Sequence, residues 1–107
     1  MRLVLADIEP GPLEEAGAKL RAGGTEVVTV PTDVADGAQM DALAAAAGDA
    51  FDTWHLVCLN AGVGGLAPLL AMTGEEWDRT HDVNLRGTFL CLRECARAMV
   101  ASGTGGS

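Results

Sequence analysis

Four short stretches of the sequence carry residue types that can do chemistry. Asp7 ends the apolar run Arg2 to Ala6, Asp33-Val34 follows the run Glu26 to Val30, and Asn60-Ala61-Gly62 follows His55 to Leu59. Asn84 lies inside a stretch with helical spacing. Asp7 is either a solvated loop residue or, as a carboxylate just past a parallel strand, an acceptor for both hydroxyls of a ribose that repels a 2'-phosphate; a nucleotide site there prefers NAD over NADP. Asp33 has two readings, an Asx turn or cap into the next helix and a hydrogen bond to adenine. Asn84 is a poor helix former; it is either a solvent-facing polar residue or the site of a kink whose freed carbonyl holds a water.

Other arrangements carry less. Gly62-Val63-Gly64-Gly65-Leu66-Ala67 fits the G-x-G-x-x-G/A pattern after a strand. The pyrophosphate fingerprint needs a helix to start inside the motif, whereas Pro68 and a cap at Thr73 put the next helix later. Asp82, at the offset of the acidic partner, would then sit within a helix, so the match is accidental. Cys91 and Cys95 are one helical turn apart and can share a metal with Cys58 or His81, but no fourth ligand is fixed; buried core thiols are the simpler reading. His55 and His81 have no serine or acidic partner at a nucleophile spacing. Three cysteines are too few for a disulfide framework, and reduced thiols are expected.

The elements that must position these residues alternate. Arg2 to Ala6 reads as a strand; Pro10-Gly11-Pro12 breaks the chain, and Leu13 to Leu20 resumes with helical spacing up to the Gly23-Gly24 stop. Glu26 to Val30 is β-branched and short, a second strand. Asp36 caps a helix whose Met40, Leu43, Ala44 and Ala47 share one face and whose end Gly48 loosens. His55 to Leu59 is a third strand. Thr73 and Glu76 form a capping-box signature ahead of one long helix to about Ala101, with Trp77, Val83, Phe89, Leu92, Ala96 and Met99 as its apolar stripe. Residues 102–107 are a turn or frayed tail. Strands separated by helices imply crossovers and a parallel sheet.

The chain has 107 residues and a mass of 11.0 kDa, which allows one small domain over 1–107. Hydrophobic residues make up 49%, enough to pack a core. The net charge of -8 excludes nucleic acids and anionic membranes as partners, since both require a basic face. No signal peptide is visible at the start, so a cytoplasmic location is expected. Thr53 to Gly74 has no charged residue, but its Asn60, Pro68 and glycines point to a buried strand and loop instead of a membrane span.

Asp7 after a strand, Asp33-Val34, Asn60-Ala61-Gly62 after a strand, and Trp77 to Phe89 (WDRTHDVNLRGTF) together resemble the short-chain dehydrogenase/reductase family over nearly the whole chain. The resemblance implies an α/β fold, a Rossmann-like doubly wound parallel sheet that is incomplete here, with three strands alternating with helices. It implies that Asp7 selects the adenosine ribose, that Ile8 also binds the cofactor, that Asp33 and Val34 contact adenine, and that Asn60, Ala61 and Gly62 line the cofactor. Asn84 matches the family's catalytic asparagine, and the helix around Phe89 to Met99 the one used to form homo-oligomers. The implied partners are a dinucleotide and a small alcohol or carbonyl substrate, and the implied reaction is NAD(P)-dependent hydride transfer.

The family's T-G-x-x-x-G-x-G loop belongs before Asp7, and its Y-x-x-x-K after the last helix. This sequence contains no tyrosine, and its single lysine is Lys19. A central fragment, inactive alone, is therefore expected. The family's first strand belongs between its second and fourth, so either Arg2 to Ala6 pairs with His55 to Leu59 or the sheet is split, and marginal stability follows. Two rivals stand beside this reading. A phosphoacceptor receiver domain needs an aspartate where Asn60 stands and a late lysine. A non-catalytic nucleotide-binding or assembly module would keep the shape without the chemistry.

Overall fold

The computed structural model describes residues 1–65, 67–103 and 105–107. An apolar run and a β-branched run form its sheet: β1, Arg2–Asp7, and β2, Glu26–Pro31, pair in parallel with Arg2 opposite Glu26 and Asp7 opposite Pro31. Parallel neighbours need a long crossover. It is supplied by α1, Pro10–Ala22, which buries Leu13 and Gly17 and packs on β2. The helix begins at Pro10 and not after Pro12, because proline in the first turn has no amide to leave unbonded. It ends at Gly23 and Gly24, and Gly24 takes φ +85°. Glu14, Arg21 and Thr29 tie α1 to β2: Arg21 donates to Glu14 Oε1 at 2.6 Å and to the Val27 carbonyl at 3.1 Å, and the Thr29 hydroxyl donates to Glu14 Oε2 at 2.8 Å. These bonds, the one from Arg21 first, hold the Glu14 carboxyl below its ordinary range.

The second helix, α2, spans Gly37–Ala50 and continues through Gly48. Asp36 caps it as expected, accepting from the Ala38 and Gln39 amides at 2.9 and 3.3 Å. Met40, Ala47 and the following Phe51 are the core of this region, with Met40 2% exposed. Trp77 and the residues after it lie on a nearly continuous helical stretch: α3, Gly74–His81, a π-helical turn, Asp82–Gly87, and α4, Thr88–Ser102. The capping box at its start is complete, with Thr73 and Glu76 each bonded to the other's backbone amide.

Two expectations are corrected. His55 to Leu59 is not a strand, and the sheet among the described residues has two strands instead of three. The segment makes one parallel bridge to the chain's end, Val57 N to Ser107 O at 2.8 Å and Ser107 N to His55 O at 3.0 Å. A single bridge is no ladder, and β1 does not pair with it, so of the two outcomes expected the sheet is split. Nor is the segment buried: Leu56 is 65% exposed, and Cys58 is also exposed. The apolar stripe on the long helix is likewise turned outward at Trp77, Phe89 and Leu92, while Leu90 and Cys95 are the buried positions of α4. Helix α4 packs on α2, and that neighbour covers one side of it. Among the described residues no helix is long and apolar enough to cross a membrane.

Candidate functional site

The ends of β1 and β2 open into a groove of about 850 Å³. Its first wall is the chain leaving β1, Asp7 to Glu9, and leaving β2, Thr32 to Ala35. Thr32 is 3% exposed; its amide donates to the Asp7 carbonyl at 2.8 Å and its hydroxyl to the Val30 carbonyl at 3.0 Å, which carries the pairing of the two strands one step beyond the sheet. Asp7 and Asp33 therefore emerge side by side from one edge, as the carboxyl ends of parallel strands require. Asp7 Oδ1 accepts from the Glu9 amide at 2.9 Å, and its other oxygen has no partner among the described residues. Asp33 forms the Asx turn, Oδ1 accepting from the Ala35 amide at 2.9 Å, and also lines the groove. Both readings of Asp33 are thus compatible in one geometry.

The opposite wall is Ala61, Gly62 and Val63 together with the helical face of Glu75, Asp78, Arg79, Asp82 and Val83. Six of the eight residues singled out from the sequence, Asp7, Ile8, Asp33, Val34, Ala61 and Gly62, meet at this groove. Asn60 and Asn84 are not part of its lining. Asn84 stands behind it: its Oδ1 accepts from the Val63 amide and its Nδ2 donates to the Val63 carbonyl, both at 2.7 Å. A side chain at position 62 would place its Cβ 3.2 Å from Asn84 Oδ1, so glycine permits this close approach. The glycine pattern at 62–67 is followed by a helix only at Gly74, in agreement with its rejection as a phosphate loop; Leu66 of that pattern and Thr104 of the tail fall outside the described residues.

Asn84 itself sits in the π-helical turn, so the helix is distorted where the asparagine suggested a kink. It is also exposed, as the other reading had it, but the Val63 peptide engages its carboxamide. Its own carbonyl accepts from the Thr88 hydroxyl at 2.7 Å. The same turn docks on the loop after β2: Arg86 Nη1 donates to the Ala35 carbonyl, and a Cβ on Gly87 would lie 2.7 Å from Val34 Cγ2. His81 stacks on Trp77 with ring centroids 4.0 Å apart and donates from Nδ1 to the Trp77 carbonyl at 2.8 Å.

Sequence reasoning missed Thr32, Val63, Arg79, Val83, Arg86 and Thr88. Gly87 carried a usable signal, since a glycine inside a helix costs about 1 kcal/mol relative to alanine and marks a close approach. Thr88 bonds within its own helical turn, where a threonine four residues after Asn84 is an ordinary pattern, while Val63 and Arg86 meet distant parts of the chain.

Electrostatically the groove is acidic. Asp7, Glu9, Asp33, Glu75, Asp78 and Asp82 line it, with Arg79 as the cationic side chain of the lining. Ribose hydroxyls and a neutral purine suit such walls; a diphosphate would meet one guanidinium among six carboxylates. The lining therefore fits the adenosine end of a dinucleotide and not its phosphates.

A family model described as short chain dehydrogenase matches residues 1–107. The short-chain dehydrogenase/reductase eriH of Hericium erinaceus is 32% identical over 94% of this chain and 40% of its own length. Sorbitol dehydrogenase of Cereibacter sphaeroides is 34% identical over 98% of this chain and 40% of its own. A short-chain dehydrogenase/reductase of Burkholderia phymatum, solved in complex with NAD, superposes with a TM-score of 0.95 at 40% identity, covering 99% of this chain and 38% of that one. The chain thus spans about 40% of the length of the curated relatives it matches, and its two strands and helices have the Rossmann-like arrangement of these neighbours.

Proposed function

The chain belongs to the short-chain dehydrogenase/reductase family, and from that premise we propose that it is the adenosine-side part of an oxidoreductase acting on an alcohol or carbonyl compound. The observation that carries this reading is the meeting of Asp7, Ile8, Asp33, Val34, Ala61 and Gly62 at one groove beyond the strand ends. Asp7 accepts the ribose hydroxyls through its unpaired oxygen and disfavours a 2'-phosphate, so NAD is preferred over NADP. Val34 and Val83 flank the adenine, with Gly62 leaving room against Asn84. When bound, the dinucleotide supplies or takes up the hydride.

Asn84 is proposed as the family's catalytic asparagine. Within this chain its carboxamide fixes the Ala61-Gly62-Val63 wall, and its carbonyl, held by Thr88, lies in a π-helical turn suited to keep a water in a proton relay. The proton donor itself is not a tyrosine of these 107 residues, since they contain none; the chain alone is therefore proposed to be inactive. Residues 1–107 are proposed to form one partial Rossmann domain. The exposed Phe89, Leu92 and Val100 on α4 support assembly into a homo-oligomer, which light scattering would detect.

Titration of the chain with adenosine 5'-monophosphate and with adenosine 2',5'-bisphosphate tests the site. The first should bind at least about tenfold more tightly, and Asp7→Ala should narrow the gap by weakening the first alone. Equal affinities would overturn the NAD preference, and binding of neither nucleotide would overturn the adenosine site.

A further inference from the structure

From the Cys91 and Cys95 geometry we infer a second site, unrelated to the groove: a helical dithiol that captures a thiophilic group able to bridge two sulfurs, of the class of trivalent organoarsenicals. The two sulfurs lie 3.9 Å apart on successive turns of α4. Two sulfurs bonded to one trivalent arsenic at about 2.3 Å, with the lone pair closing the angle to about 100°, sit about 3.5 Å apart. The dithiol stands close to that spacing, and a small rotation of its side chains reaches it. A direct disulfide fits less well: side chains four apart on a helix have Cβ atoms about 5–6 Å apart, and a disulfide requires about 3.5–4.5 Å. Closing it would pull the helix in, whereas an inserted atom leaves the backbone in place.

The number of ligands selects the occupant. Among the described residues no group of three His, Cys, Asp or Glu side chains converges, so a tetrahedral divalent metal would lack protein ligands. An organoarsenical is satisfied by two. The thiols are also differentiated. Cys91 is half-buried, and the hydrogen bond from the Cys95 thiol lowers its pKa to about 7; the same bond, with burial, pushes Cys95 up. Cys91 therefore attacks as the thiolate and Cys95, buried beside it, closes the ring. In the first step an As–S bond forms and an As–OH bond breaks, the hydroxide leaving as water with the Cys95 proton. In the second the Cys95 sulfur bonds to arsenic and the other hydroxide leaves as water with a proton from solvent. Arsenic stays trivalent, and no oxidant or reductant is needed.

The test uses the 107-residue chain and phenylarsine oxide, which hydrates to the dihydroxide. Native mass spectrometry should show one adduct per chain, with Cys58 still open to alkylation. The adduct should resist excess glutathione and be removed by a small dithiol. Cys91→Ala and Cys95→Ala should each weaken binding at least about tenfold, while Cys58→Ala leaves it unchanged; unfolding in urea should weaken it about tenfold, because the spacing is set by the helix. Undiminished binding in either the Cys91 or the Cys95 variant, dependence on Cys58, or equal affinity in urea would each overturn the proposal. Circular dichroism of each variant separates loss of the thiol from loss of the helix.

Discussion

The carboxamide of Asn84 and the peptide of Val63, 21 residues apart in sequence, are joined by two hydrogen bonds of 2.7 Å, one in each direction. The side chain thus does for the 61–63 wall what a neighbouring strand would do for one residue. Replacing Asn84 by alanine removes both bonds, each with a net value of about 1 kcal/mol, partly offset by alanine's better helix propensity. We expect a net destabilisation of about 1 kcal/mol and faster amide exchange at Val63, read by hydrogen–deuterium exchange. Unchanged protection of that amide would show that the bonds do not hold the wall in solution.

Gly87 lets the π-helical turn rest on Val34. A β-carbon there would lie 2.7 Å from Val34 Cγ2 and 3.1 Å from its Cβ, and Val34 Cβ is not the end of a flexible chain. Gly87→Ala should cost about 1–3 kcal/mol through overpacking, despite the better helix former. Urea denaturation measures it; a more stable variant would show that the loop after β2 yields easily.

Acid should loosen both capped helices. Hydrogen bonds from the Gln39 amide and side chain hold Asp36 below its ordinary 3.8, and the bonds from Thr73 hold Glu76 below its ordinary 4.5. Carboxyls lowered in the folded state stabilise it above those ordinary values and lose that contribution as pH falls through the lowered ones. The melting temperature should therefore decline from about pH 5 downward, and the decline should be shallower in Asp36→Ala and in Glu76→Ala. Parallel declines in the parent and both variants would exclude the caps as the source.

Among the described residues, the split sheet leaves β1 unpaired on the side away from β2 and residues 55–59 held by a single bridge. Unpaired edges with apolar side chains invite association. Leu56, 65% exposed, is the large apolar residue at that bridge. Leu56→Lys should raise the solubility limit of the chain without lowering its melting temperature, as sedimentation and calorimetry would show. A loss of stability would mean that Leu56 is covered in solution.

Much of the framework was legible in the sequence because its causes are local. The apolar run at 3–5, the β-branched run at 26–30, the Asp36 cap and the Thr73/Glu76 box each depend on residues a few positions apart, and each stands where the pattern put it. The run at 55–59 has the same local character yet forms no strand, since a strand exists only through a neighbour along its length. Periodicity marked Trp77, Phe89 and Leu92 as an apolar stripe but could not say whether anything covers it; all three are exposed. The sequence alone determined which residues are chemically able to meet a nucleoside and which family they resemble. Only the tertiary structure decided that six of them share one groove, that Asn84 acts from behind its wall, and that Cys91 and Cys95 stand 3.9 Å apart. Those are distances between side chains whose positions are fixed by packing across the chain, and no order of residues states them.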